Sequence, residues 1–330
     1  MNNQLRRELL QTYRKQREAT NINPVGEATG RTYIPFPQDL LVEGKEAHGV
    51  QGFVHMFGKM LDYSPVEVRP GELIIGDYYY LLPYEIIPMD APVDYETCAN
   101  MGAMPGVPMG HTSVNAETGL ELGWAGILER IKEYRVKFSD DSTQAEFLDG
   151  EVKVVHLIQD RIRDYGNRTK ELADETPDPE QKKEYESIAD RCFRLVNDPP
   201  RSFHDALQWY FLFVIFERAS SSGMGSIRLD QVFYPFYRED IQAGILDDQQ
   251  AQMLLECVFM KEPLFWSIGG VTPLGEDASN SLSFLAIQAY NAVGGTSNLS
   301  FRWHPEVNTD LESMVMETLA RHGTGVRSEE

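Results

Sequence analysis

Three thiols, seven imidazoles and a surplus of carboxylates are the groups in this sequence that could carry covalent, metal or proton-transfer chemistry. Cys98, Cys192 and Cys257 are far apart, odd in number and contain no C-x-x-C pair, so they suggest neither a disulfide framework nor a cysteine zinc site. Such usage fits a reducing cytoplasm. The imidazoles (His48, His55, His111, His156, His204, His304 and His322) include no close ligand pair. His48 and His55, seven apart, read as neighbours on a helix surface. There is no H-E-x-x-H and no G-x-S-x-G. The glycine-rich stretches GAMPGVPMGHT and GGVTPLGED lack the Lys-Ser/Thr that Walker A sites use to meet phosphate and magnesium. The acid pairs Asp140-Asp141, Asp247-Asp248 and Glu329-Glu330 fall at helix starts or the end of the sequence. Capping and solvation explain them better than general acid–base catalysis.

The charge balance narrows the function further. Thirty basic residues against 51 acidic ones give a net charge of −21 over 330 residues, which argues against binding nucleic acid or an anionic membrane. With 42% hydrophobic residues there is ample material for a buried core. The longest aromatic-rich apolar run, Trp209 to Phe216, is far short of the roughly 20 residues that span a bilayer. The first 20 residues show neither an apolar h-region nor a small-residue cleavage site, so no export signal is visible.

Periodicity and punctuation set out the elements that must position any site. A helical arm is followed by an extended lead-in, Asn21 to Asp39, and helix resumes near Glu46 and runs to Leu61. Val66 to Asp77 reads as a turn with short β flanks. Leu82 to Thr112, rich in Pro, Gly, Met and Asn, is too long for a mere connector and is the best local candidate for a functional loop. Helices follow over Glu117–Phe138, Ser142–Glu175 and Glu180–Val196, the last two forming a hairpin broken at Thr176-Pro177-Asp178-Pro179. Ser202 and Asp205 form a capping signal for Phe203–Ala219, so apolar that it should be central. Helix is expected on either side of Pro235, and Asp247 and Gln250 resemble a capping box for the next helix, ending near Pro263. Strands are expected at Leu264–Ile268 and Leu299–Trp303, around a helix that Asn280 caps and Gly294-Gly295 stops. There is no internal repeat, low-complexity tract or dividing linker, which favours one domain, or part of a larger one.

The string NDPPRSFHDALQWYFLF (Asn197–Phe213) followed by IRLDQVFYPFYREDIQAGIL (Ile227–Leu246) resembles the glycyl radical enzymes of the pyruvate formate-lyase-like superfamily. Four further stretches agree in order: SPVEVRPGELIIGD from Ser64, MGHTSVNAETGLELGWAGIL from Met109, SIGGVTPLGEDASNSLSFLAIQA from Ser267, and NLSFRWHPE from Asn298. The resemblance implies a helix-rich α/β fold, the N-terminal half of a ten-stranded α/β barrel made of two antiparallel five-stranded halves. It implies a partial domain over residues 1–330, with an arm and lead-in at 1–40 and a helix-wrapped half-barrel at 41–330. It also implies lysis, dehydration, decarboxylation or addition on a small organic substrate. In this family a radical-SAM iron–sulfur activase makes a glycyl radical, which generates a cysteine thiyl.

The sequence departs from the family at those two centres. Neither the G-C-V-x-E-like cysteine loop nor the R-V-x-G-Y-like glycine segment is present, and the three cysteines all precede the place where the active loop would fall. They are therefore not expected to be the thiyl; each reads as a buried small hydrophobe. The expectation is an N-terminal portion, inactive alone and binding no cofactor itself, that needs a missing C-terminal half or a separate chain supplying it. The full-length enzyme would use the activase and would be a homo-oligomer. The other reading is a non-catalytic binding or assembly subunit for a chain that carries the two loops.

The resemblance nominates His111, in the Gly110-His111-Thr112 stretch, as a substrate contact through a hydroxyl or carboxylate. Ser267, at the end of an expected inner strand, is nominated to bind a substrate hydroxyl. Arg228 and Asp230 are assigned to the scaffold as a buried ion pair or network. Arg302 and His304 alternate and should share one strand face, in a structural role.

Overall fold

The computed structural model describes residues 1, 3–21, 41–42, 45–46, 49–63, 66–76, 115–220, 227–261, 265–295, 298–322 and 326–329. Helix α1 (Asn3–Asn21) is the expected arm. Strands β1 (Leu41–Val42) and β2 (Lys45–Glu46) form a two-residue antiparallel pair. Helix α2 (Gly49–Tyr63) therefore starts later than Glu46, at a Gly49 in positive φ. Next come α3 (Ala116–Lys137), α4 (Ser142–Glu175), α5 (Pro179–Leu195) and α6 (Phe203–Ser220).

Local chemistry explains these boundaries. The side chain of Asp141 accepts hydrogen bonds from the Thr143 and Gln144 amides to start α4, and Asp178 does the same for α5. The hairpin is as the sequence foretold. Ser202 Oγ accepts from Asp205 N at 3.1 Å, but the capping signal is not reciprocal. The Asp205 carboxylate instead takes Arg201 N, Arg191 Nε and Arg194 Nη2, tying the end of α5 to the start of α6. Helix α3 bends at Gly123 (φ 59°, ψ 179°), where an added Cβ would stand 2.5 Å from Pro199 N. Only glycine suits that combination of dihedral and close approach.

Residues Val66–Gly76 carry no strand, contrary to the expected β flanks. A side chain takes the place of a neighbouring strand. Gln208 accepts from Ile75 N at 2.8 Å and donates to Ile75 O at 3.0 Å, so both backbone groups of Ile75 are satisfied without a ladder. His204 Nε2 lies 2.7 Å from Leu73 O, and Lys261 pairs with Glu72 at 3.0 Å and donates to Gly76 O. The arm is secured in the same way: Arg7 makes a two-pronged contact with the fully buried Glu256, and Arg6 reaches Gly71 O and Glu184.

The second half builds the sheet. Strand β3 (Ile227–Arg228) leads through α7 (Leu229–Val232), α8 (Tyr234–Gln242) and α9 (Asp248–Lys261) to β4 (Phe265–Gly269). Helix α10 (Ser281–Ala292) leads to β5 (Asn298–Arg302), and α11 (Thr309–His322) to β6 (Val326–Glu329). The four strands are parallel in the order β3-β4-β5-β6, as strand–helix–strand crossovers require. The expected capping box at Asp247/Gln250 is present, and Asn280 caps α10 as expected, the structure adding Ser283 as its reciprocal partner.

Register sorts the side chains. Ile227, Trp266 and Leu299 stand in one row, and Ile268 and Phe301 in another on the same face, all buried. This face meets the helices. Trp266 lies 5.4 Å from Tyr210 and 6.2 Å from Phe259, ring centre to ring centre. Helix α6 is the middle of the core, with Phe203, Trp209, Tyr210, Phe211 and Phe216 almost fully buried. Among the described residues no helix is long and apolar enough to cross a membrane.

Candidate functional site

The opposite face of the sheet is polar. Arg228, Ser267, Ser300 and Arg327 form one row across β3 to β6, and Gly269, Arg302 and Glu329 form the row above it at the carboxyl ends of the strands. In α/β sheets ligands bind beyond those ends. This rim is the candidate site.

Its scaffold is the turn after β4. Arg228 and Asp230 both grip Gly269: Arg228 Nη2 donates to its carbonyl at 2.6 Å, and Asp230 Oδ2 accepts its N–H at 2.8 Å. Arg228 also donates to Val271 O, and Asp230 accepts from Ser283 Oγ. The RLDQ string is thus the expected network, joined through one residue rather than by direct contact of the two charges. Asn280 Nδ2 donates to Asp230 O and Gln231 to Ala278 O, which fixes the start of α10 against the turn. Burial raises the Asp230 carboxyl above its ordinary value, opposed by the hydrogen bonds from Gly269 and Ser283. Burial also lowers the Arg228 guanidinium, with Arg302 adding repulsion and Asp230 opposing both.

Ser267 is buried on the polar face, and its hydroxyl donates to Ile227 O at 3.2 Å. That bond braces β3 against β4 and uses its only proton, leaving its lone pairs as acceptors. His111 lies outside the described residues, as does the rest of the Leu82–Thr112 stretch. Arg302 and His304 do not share a strand face, because β5 ends at Arg302 and strand alternation ends with it. Arg302 is exposed at the rim, whereas His304 turns to Asp277, with 3.2 Å between Nε2 and Oδ1.

Sequence reasoning missed Asp277. Its carboxylate gathers Ser279 N, Ser279 Oγ, the His304 ring and Asn308 N, linking the β4–α10 loop to the β5–α11 loop. Burial would raise its pKa, but these hydrogen bonds outweigh that and leave it lowered. The D-x-S spacing of an Asx turn was the available signal.

The described thiols are poor candidates for chemistry. Cys192 and Cys257 are fully buried, and desolvation pushes their thiols up to about 12 and about 11 respectively. Cys98 lies outside the described residues.

Comparison with known proteins places this geometry in a class. The pyruvate formate lyase-like family model matches residues 94–328, and the chain belongs to that family. It is 29% identical over 174 residues to isethionate sulfite-lyase of Nitratidesulfovibrio vulgaris, covering 46% of this chain and 21% of that protein. It is 25% identical over 213 residues to the 4-hydroxyphenylacetate decarboxylase glycyl radical subunit of Clostridioides difficile, covering 56% and 24%. The solved hydroxyproline dehydratase of Clostridioides difficile matches with a TM-score of 0.73 at 18% identity, covering 95% of this chain and 49% of that one. The last likeness shows the fold: a helix-rich α/β barrel of which this chain spans about half. It spans about a quarter or less of the two curated relatives.

Proposed function

We propose that this chain is the N-terminal portion of a glycyl radical enzyme of the lyase, dehydratase or decarboxylase kind, acting on a small organic substrate. The observation that carries the proposal is the sheet. It presents four parallel strands with a polar rim, in a family fold of which this chain spans about half, while the sequence contains neither family radical motif and its described thiols are buried. Residues 1–330 then form one partial domain, with residues 1–40 as arm and lead-in and 41–330 as the helix-wrapped half-barrel.

In this reading a radical-SAM activase installs the glycyl radical on the remaining part of the barrel, and the glycyl radical generates the thiyl that abstracts hydrogen from substrate. This chain supplies binding. Ser267, held by Ile227 O, offers lone pairs to a substrate hydroxyl, and His111 supplies a second polar contact from the Gly110-His111-Thr112 stretch. In this reading the chain, which contains neither radical motif, is inactive alone.

The test begins with the DNA downstream of the Glu330 codon, read in all three frames and in the neighbouring gene. A segment encoding the two loops is then produced anaerobically with this chain and the activase. A glycyl radical in the electron paramagnetic resonance spectrum and turnover that the 330-residue chain lacks are the expected results. Turnover by the chain alone without anaerobiosis would overturn the reading, as would a reunited protein that forms no radical.

A further inference from the structure

The rim holds two arginines that the fold brings together without pairing them. Arg228 spends Nη1 and Nη2 on backbone carbonyls, while its Nε is buried without a hydrogen-bond partner. Arg302, two residues beyond Ser300 on the same face, is exposed and has no hydrogen-bond or ion-pair partner among the described residues. Gly270 stands between them. A Cβ on it would be 3.1 Å from Arg302 Cβ, 3.2 Å from Arg302 Nε and 3.4 Å from Arg228 Nη2, and its φ of 80° suits glycine. The missing side chain leaves a notch flanked by two guanidinium groups.

Two cations this close repel unless something negative offsets them. Asp230 answers one of them, but it is committed to Gly269 and Ser283. Arg228 and Arg302 against Asp230 thus leave one positive charge in excess at the notch, in a chain whose net charge is −21. An excess of one charge matches a monoanion, and a guanidinium fork matches a planar carboxylate.

We propose that Arg228 and Arg302 form a binding site for the carboxylate of a small organic monoacid, seated over Gly270 at the carboxyl ends of β3, β4 and β5. Arg302 supplies the free fork, and Arg228, fixed by Gly269 and Val271, supplies the anchored charge. The site needs no radical, so it can be tested on the 330-residue chain as it stands.

The probe is acetate, with chloride at matched ionic strength as the control. Binding is followed by the line width of carbon-13-labelled acetate and by protection of each arginine from phenylglyoxal, mapped by mass spectrometry. Acetate should bind and should protect Arg302, and chloride should do neither. Arg302→Gln should weaken acetate binding about tenfold to a hundredfold, the loss expected for a hydrogen bond to a charged group. Arg302→Lys, which keeps the charge but loses the fork, should recover only part of it. Because Arg302 is exposed, both variants should keep the parent melting temperature. The proposal is overturned if acetate does not bind or protects no better than chloride, or if either Arg302 variant binds acetate as the parent does.

Discussion

The two faces of the β3–β6 sheet are made from the same strands and do opposite work. On the helix-covered face, Trp266, Ile268, Leu299 and Phe301 are buried among the aromatic side chains of α6 and α9. On the other face the same strands carry Arg228, Ser267, Ser300 and Arg302. Hydrophobic burial of the first face drives folding, and the polar groups of the second contribute little to it. A parallel sheet wrapped wholly in its own helices would be apolar on both sides. The polar face is therefore the side that carries the proposed site, and the apolar face the side that packs.

The largest effect should come from the helix-covered face. Trp266→Ala removes a fully buried indole that meets Tyr210, Phe233 and Phe259. It should cost about 3–5 kcal/mol in a denaturant titration. A loss under about 1 kcal/mol would mean that this face is not the core. The cysteines test the same packing: Cys192 and Cys257 should resist a thiol reagent in the folded chain and react on unfolding.

The next effect is a pH dependence from beneath that core. Burial, reinforced by the charge of Arg191, holds the His204 imidazole well below its ordinary 6.5, despite the opposing bond to Leu73 O. The folded state keeps this ring neutral, while the unfolded chain takes up a proton below 6.5. Stability from this group is therefore present above pH 6.5 and declines as pH falls, by up to about 1.4 kcal/mol per unit until the folded ring itself titrates. Denaturant midpoints measured between pH 7.5 and 5 should fall, and His204→Gln should flatten the slope. An unchanged slope in that variant would assign the loss to another group.

How much of this was legible from residues alone follows the same division. Helices and their ends were readable where a local side chain decides them: Asp141 and Asp178 at the hairpin, Asn280 at the start of α10, and Asp247 with Gln250. The uniformly apolar run from Trp209 to Phe216 correctly read as central. Errors came where a distant residue decides. Val66 to Asp77 read as a turn with short β flanks, but Gln208, more than 130 residues away, takes both backbone groups of Ile75. Arg302 and His304 looked like strand neighbours because nothing local shows that Asp277 draws His304 aside. Within the site, Ser267 was legible as a strand residue, whereas the grip of Arg228 and Asp230 on Gly269 needs the register of two strands.

On the polar face, Ser267→Ala should cost about 1 kcal/mol, because it removes one hydrogen bond to Ile227 O at a buried position. In a reunited enzyme, Ser267→Ala should lower substrate affinity as well, if the hydroxyl offers its lone pairs to substrate. A loss of stability with unchanged affinity would leave Ser267 as a brace between β3 and β4 and remove it from the site.

The smallest effect on stability should be at Arg302, and its smallness is informative. An exposed side chain without a hydrogen-bond or ion-pair partner among the described residues contributes within about 0.5 kcal/mol. The charge of Arg302 also disfavours the protonated form of Arg228, so Arg302→Gln should leave stability unchanged or raise it slightly in low salt. A denaturant titration of this variant at low and high ionic strength separates the cases. A gain at low salt that vanishes at high salt is what repulsion between two neighbouring cations predicts. A clear loss would mean that Arg302 is held by the fold, and the contrast between the two faces would then fail at its rim.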